Sequence, residues 1–264
     1  MKGFLGSKVS VKLILTMACA FSLMTCTPKK EKWIFILAGQ SNMAGRGFVE
    51  PQDTITDPRI FTINDSMKVA LAKEPLHFYE PTLAGVGSGF SFAKNLIGQL
   101  PKNVEIVLVP CAVGGSSIDQ WVNDSAHRKV KLYSNFKKRV AFAKTLGTVK
   151  AILWHQGESD ANPRSLPHYQ NALDMLFQNF RTDVGNEKLP ILVGELGEYA
   201  EPEEKNNNWK ALNKILHDIA DKDHNVFVVS SEGLTSNPDK VHFNTESQRE
   251  LGKRFAEEYI KILK

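Results

Sequence analysis

Ile36-Leu37-Ala38-Gly39-Gln40-Ser41-Asn42-Met43-Ala44-Gly45 decides how the rest of the chain is read, because an apolar run ends abruptly in Gly-Gln-Ser-Asn. The run starts at Trp33 and shows no polar alternation through Ala38, the pattern of a strand covered on both faces in a parallel sheet. Gly39 permits a sharp turn at the strand's carboxyl end, where open α/β sheets place their ligands. A serine presented there is a nucleophile only if a base reaches its hydroxyl. The competing account makes Ser41 a helix or turn cap, and these ten residues alone leave both open.

Working outward, four more apolar runs follow, at 104–109, 149–154, 190–195 and 225–230. Between them the periodicity predicts helices at about 89–100, 128–146, 166–181 and 206–221, and a last helix at 245–263 carries Leu251, Phe255, Tyr259 and Ile262 on one stripe. Residues up to 87 read as polar, proline-containing loops. Five strands separated by helices predict one three-layer α/β/α domain over 33–264, with a five-stranded parallel sheet and right-handed crossovers. A length of 264 residues, 42% of them hydrophobic, suits one sizeable core better than two small ones.

The amino terminus reads differently. Lys2, Lys8 and Lys12 precede an apolar stretch from Leu13 to Met24, too short to span a membrane and suited to a signal peptide. Leu23-Met24-Thr25-Cys26 then resembles a bacterial lipoprotein signal, with residues 1–25 removed, Cys26 lipidated and 26–32 serving as a tether. Thr25 is larger than the residue usual before such a cysteine, and ordinary signal-peptidase cleavage is the alternative. The expected location is exported and lipid-anchored to a bacterial membrane, facing the periplasm or the outside. Three of the 33 basic residues lie in the signal, so the rest of the chain sets 30 against 29 acidic residues and asks for no nucleic-acid partner. Cys111 alone remains inside the domain, which excludes an internal disulfide and suggests a small buried residue.

Polar groups gather where the strands end. The second strand runs into Gly114-Gly115, whose backbone N–H groups can face a ligand without intervening side chains. The third runs into Trp154-His155-Gln156-Gly157-Glu158-Ser159-Asp160, where a neutral amide such as Gln156 can donate to a developing oxyanion. Before the last helix stands Asp239-Lys240-Val241-His242; a carboxylate three residues before a histidine can orient the imidazole as a general base. Singly, each block has a structural explanation: a flexible turn, a capped loop, a surface histidine.

Together the blocks resemble the SGNH-hydrolase superfamily, and within it the carbohydrate-esterase branch of sialate O-acetylesterases and acetylxylan esterases. Gly39-Gln40-Ser41-Asn42-Met43-Ala44-Gly45, the Gly114-Gly115 loop, the 154–160 block and Asp239-Lys240-Val241-His242 occur in that family's order. The resemblance implies a flavodoxin-like fold, Ser41 as nucleophile, His242 as general base and acid, and Asp239 as the residue that orients it. It implies an oxyanion hole of the Ser41 N–H, the Gly115 N–H in preference to that of Gly114, and the Gln156 side chain. Glu158, Gln40 and Asn42 take supporting roles, with Glu158 expected to accept backbone hydrogen bonds from the nucleophile loop. The implied activity is removal of O-acetyl groups from carbohydrates through an acyl-enzyme, with an acetylated carbohydrate as substrate and neither cofactor nor metal required. Trp121, Tyr199 and Trp209 are candidates for stacking on sugar faces, core packing being the alternative.

Three rival readings remain. A lipase or thioesterase of the same superfamily would need a wide apolar acyl groove, for which no extra segment is seen. A metal hydrolase would use His155, Glu158 and His168. A lipid-anchored glycan-binding protein without turnover would have no use for the full serine, histidine and aspartate set.

Overall fold

The computed structural model describes residues 1–3 and 29–264. The expected signal segment and Cys26 therefore lie outside the described residues. The chain enters the sheet through β1 (Glu31–Gly39), two residues before the expected start of the domain at 33, and continues through α1 (Ser41–Ala44), β2 (Ile60–Ile63), β3 (Val69–Leu71), α2 (Ser88–Ile97) and β4 (Val104–Pro110). Next come α3 (Ile118–Val122), a small ribbon of β5 (Ala126–His127) and β6 (Val130–Lys131), α4 (Leu132–Lys144), β7 (Thr148–His155), α5 (Leu166–Val184), β8 (Ile191–Gly194), α6 (Glu203–Ala220), β9 (Val226–Val229) and α7 (Thr245–Ile262).

The main sheet has seven strands in the order β3-β2-β4-β1-β7-β8-β9. All neighbours are parallel except β3, which runs antiparallel to β2 at the edge. The five strands expected from the sequence are β1, β4, β7, β8 and β9, and their spatial order is the flavodoxin-like one. The expected count of five is corrected to seven by β2 and β3, four and three residues long, which extend the sheet beyond β4.

Successive side chains of β1 divide between two cores. Ile34, Ile36 and Ala38 join Val107, Val109, Ile152 and Trp154 beneath α3 to α6, while Phe35 and Leu37 join Ile106, Leu108 and Leu153 beneath α2 and α7. Both faces are covered, and this is why the strand sequence is continuously apolar. The expected helix at 128–146 starts later, at Leu132. Arg128 and Lys129 adopt φ values of 46° and 66°, left-handed conformations that close the β5–β6 turn and cannot continue a right-handed helix. Cys111 is buried, and burial pushes its thiol up to about 12. Among the described residues, no helix is long and apolar enough to cross a membrane.

Candidate active site

The site forms at the carboxyl ends of β1, β4 and β7, around the point where the strand order reverses. At Gly39 the backbone takes φ +129°, and a Cβ there would lie 2.0 Å from the His155 carbonyl oxygen at the end of β7. Only glycine allows the two strand ends to approach so closely while the chain turns. The Gln40 N–H donates to that same carbonyl at 2.9 Å, and the next residue, Ser41, opens α1 with 4% of its surface exposed. Its N–H has no acceptor in the preceding turn.

The loop after β9 brings a histidine to this serine. Lys240 has φ +54°, and the Asn237 N–H donates to the His242 carbonyl at 2.7 Å, so a tight turn folds Asp239 back onto His242. Asp239 Oδ1 accepts the backbone N–H groups of Val241 and His242, both at 2.9 Å, which leaves Oδ2 facing His242 Nδ1 at 2.7 Å. Burial raises the Asp239 pKa, but the backbone and ring hydrogen bonds from His242 and the Val241 amide outweigh it and hold the carboxyl below its usual range. A carboxylate only accepts, so Nδ1 carries the proton and Nε2 presents a lone pair. Nε2 lies 3.0 Å from Ser41 Oγ.

Asn42 joins the serine turn to the histidine loop. Its side-chain carbonyl accepts from Phe243 N–H at 3.0 Å, and its amide donates to the Val241 carbonyl at 3.2 Å, so it grips the residues on either side of His242. The same amide donates to Glu158 Oε1. Glu158 therefore supports the turn through the Asn42 side chain, not through backbone N–H groups as expected. Gln40 reaches beneath the turn, accepting from Gln156 Nε2 at 3.1 Å and from the Gly157 and Ser159 amides at 3.4 Å.

The structure does not bring Gln156 to the oxyanion position. The residue is fully buried, and its amide donates to the Ser116 carbonyl at 3.0 Å and to Asp160 Oδ2 at 2.6 Å, in addition to Gln40. Two N–H bonds are thereby consumed, while the Tyr169 hydroxyl donates to Oε1 at 2.9 Å and fixes which way the amide faces. The two glycines also separate. The Gly114 N–H is held by Glu80 Oε2 at 2.6 Å, whereas at Gly115, with φ +74°, a Cβ would meet His127 Nε2 and Arg128 Nη2 only at ordinary contact distances of 3.7 and 3.9 Å, and the Gly115 N–H has no protein acceptor among the described residues.

Glu80, Arg46 and Arg128 are site residues that the sequence reading missed. Glu80 is buried and pairs with Arg46 at 2.7 Å and Arg128 at 3.1 Å, and Arg128 also donates to the Gly114 carbonyl at 2.9 Å. With Ser41, Gly115 and His242 they line a cavity of about 270 Å³. A second cavity, about 410 Å³, shares Arg46, Leu83 and His242 with the first and is also lined by Asp239, Phe48 and Asn237. A larger depression of about 590 Å³ lies between β9 and α7 and contains none of these groups.

Trp121 and Trp209 are fully buried in the core and present no face to a sugar; Tyr199 packs edge-on against Trp209 and Phe243. His155 and Glu158 lie together, Nδ1 and Oε1 3.7 Å apart, but His168 does not join them: His155 is buried with Nε2 on the Glu195 carbonyl, while His168 is half-exposed near Asp119. Among the described residues, no group of three or more His, Cys, Asp or Glu side chains is placed to hold a metal ion.

A parallel α/β/α sheet with a serine turn after its first strand and a histidine loop before its last helix defines a hydrolase of the SGNH type. The model of the family described as carbohydrate esterase, sialic acid-specific acetylesterase, matches residues 31–261, and the chain belongs to that family of carboxylic ester hydrolases. It is similar to a protein of Arabidopsis thaliana named a probable carbohydrate esterase, with 32% identity over 257 residues that span 89% of this chain and 92% of the relative. The crystal structure of that plant protein superposes with a TM-score of 0.76 at 31% identity, covering 87% of this chain and 98% of the other. Two more distant structures share the fold: NanS (TM-score 0.70, 19% identity, 89% and 98% covered) and a carbohydrate acetylesterase from Xanthomonas citri (0.60, 19%, 86% and 54%).

Proposed function

We propose that the chain removes O-acetyl groups from carbohydrates through a Ser41–His242–Asp239 triad and an acyl-enzyme intermediate. The observation that carries this reading is the continuous hydrogen-bonded chain from Asp239 Oδ2 through His242 to Ser41 Oγ, at 2.7 and 3.0 Å, the second within reach for proton transfer. Ser41 Oγ attacks the ester carbonyl carbon while its proton passes to His242 Nε2. The carbonyl π electrons move onto oxygen, where the Ser41 and Gly115 N–H groups receive the charge. Collapse of the tetrahedral adduct breaks the bond to the sugar oxygen, which leaves with the proton from Nε2. Water then repeats the cycle on the acyl-enzyme, releasing acetate and restoring the serine. Asp239 holds the imidazole in the required tautomer and stabilises the imidazolium without itself taking the proton. Support for the acetyl and carbohydrate specificity comes from the family's description and from the modest cavity at Ser41.

The test compares 4-nitrophenyl acetate, butyrate and octanoate, with and without EDTA, for the mature domain and its Ser41→Ala variant, followed by acetate release from O-acetylated glycans. Acetate-selective turnover that is lost in the variant and indifferent to chelator is expected. Equal activity in both proteins removes Ser41 as nucleophile. Export and anchoring through Cys26 belong to the same proposal, resting on the amino-terminal sequence. Labelled fatty acid incorporated by the wild type and not by Cys26→Ser is the expected result.

A further inference from the structure

We propose that the Phe48 side of His242 is the sugar subsite, and that Phe48 is the platform on which the ring bearing the ester stacks. This inference rests on the serine-esterase reading above and assigns the two halves of its substrate to two cavities. Ser41 and Gly115 line the 270 Å³ cavity, whereas the 410 Å³ cavity touches His242 and Asp239 but neither Ser41 nor Gly115. The acyl carbon must sit against the nucleophile and the free amides. The leaving oxygen must sit against the Nε2 proton, so the alcohol side of the ester extends past His242 into the second cavity.

The lining of that cavity suits the apolar face of a pyranose. Phe48 is 75% exposed, and Leu83 and Val49 are 49% and 41% exposed. Three of the few large exposed apolar side chains among the described residues thus share one cavity, and Phe48 is the aromatic one. Asn237 and Thr82 add polar groups at the rim, in the mixture of a flat apolar surface and a few hydrogen-bonding groups typical of small-molecule sites.

Phe48 is held in place although its ring is free. Gly47 and Val86 exchange N–H···O bonds at 3.0 and 2.8 Å in an antiparallel bridge, and the Thr245 hydroxyl donates to the Phe48 carbonyl at 3.1 Å. A Cβ on Gly85 would lie 2.1 Å from the Gly47 carbonyl oxygen, so this approach of two loops is built on glycine. With its backbone anchored, only the ring's own side-chain rotation is left to be fixed when a ligand covers it.

The test measures kcat and KM on ethyl acetate and on an O-acetylated oligosaccharide for the wild type, Phe48→Ala and Phe48→Trp. Stacking that covers roughly 40 Å² of apolar surface at ~25 cal/mol/Å² corresponds to about fivefold in binding. The expected result is that Phe48→Ala lowers the ratio of sugar-ester to ethyl acetate kcat/KM by about that factor, through KM, and that Phe48→Trp restores it. An unchanged ratio overturns the assignment. So does a Phe48-dependent preference for octanoate over acetate, which makes the second cavity an acyl groove. If the wild type releases no acetate from sugar esters, or Ser41→Ala retains full activity, the esterase reading fails and the subsite falls with it.

Discussion

Replacing Asn42 by alanine tests how the serine turn and the histidine loop are held in register. Asn42 is 1% exposed, so its partners find no water when it is removed. The Phe243 N–H loses its acceptor and the Glu158 carboxylate loses its donor. An orphaned neutral group costs about 1–3 kcal/mol and a charged one more, so the variant should lose roughly 3–5 kcal/mol. For a domain of this size that is a fall in Tm of roughly 10 °C. The kinetic effect has a separate origin: the Val241 carbonyl and Phe243 N–H flank His242, and a drift of about 1 Å between Nε2 and Oγ lowers turnover about a hundredfold. Calorimetry and kcat on 4-nitrophenyl acetate read the two losses independently. The Asn42→Asp variant keeps the acceptor for Phe243 but sets a second carboxylate against Glu158, so its defect should shrink as pH falls and one of the pair protonates. A Tm within about 2 °C of wild type together with kcat within about threefold would refute the reasoning.

Two further outcomes follow from buried groups. Gln156→Leu leaves Asp160, Ser116 and Tyr169 without their partner, so Tm and kcat should fall together; an unchanged Tm with a loss of about a hundredfold to a thousandfold in kcat would restore Gln156 as an oxyanion donor. Glu74, buried and accepting the Leu76 and Gly87 amides at 2.9 and 3.2 Å, has its carboxyl raised by burial from 4.5 to about 8, more than these backbone hydrogen bonds lower it. The folded state therefore holds a proton that the unfolded state has released, and the stability this group contributes is present below about pH 4.5 and lost as pH rises through about 8. Glu74→Gln should flatten the decline in Tm across that window, and an identical slope in both proteins would show that Glu74 does not titrate there.

The five strands β1, β4, β7, β8 and β9 were legible because each is a predominantly apolar run with side chains packed on both faces of the sheet, and helices were legible by period. Ile60–Ile63 and Val69–Leu71 were not, since runs of three or four residues carry no periodic signal and lie among loop residues. Ser41, Asp239 and His242 stand in short local patterns, a strand-turn serine and a carboxylate three before a histidine, which residue order alone can carry. Glu80 pairs with Arg46 across 34 positions and belongs to a loop without pattern, so nothing in the sequence marks it. The tryptophans were ambiguous for a different reason: size suits them equally to a sugar face or a core, and Trp121 settles in the core, its indole N–H satisfied by Ser116 Oγ at 3.0 Å.

Gln156 shows most clearly what residue type leaves open. Its position after β7 and its neutral amide suit an oxyanion donor, but the direction of the amide depends on acceptors contributed by other strands. Ser116 follows β4, Gln40 follows β1 and Asp160 lies four residues on; together they draw both N–H bonds inward. Asp160 also accepts the Ile118 N–H at 2.8 Å, so the network beneath the serine ties the loops after β1, β4 and β7 into one buried layer. On the cavity side the pattern is inverted, because Glu80 takes the Gly114 amide and leaves that of Gly115 free. A donor for developing charge must be held still and yet have no partner in the ground state. Backbone amides at a helix start and at a glycine in positive φ meet both conditions, whereas a side-chain amide saturated from below meets only the first. This is why Gly115, and not Gln156, should complete the site with Ser41.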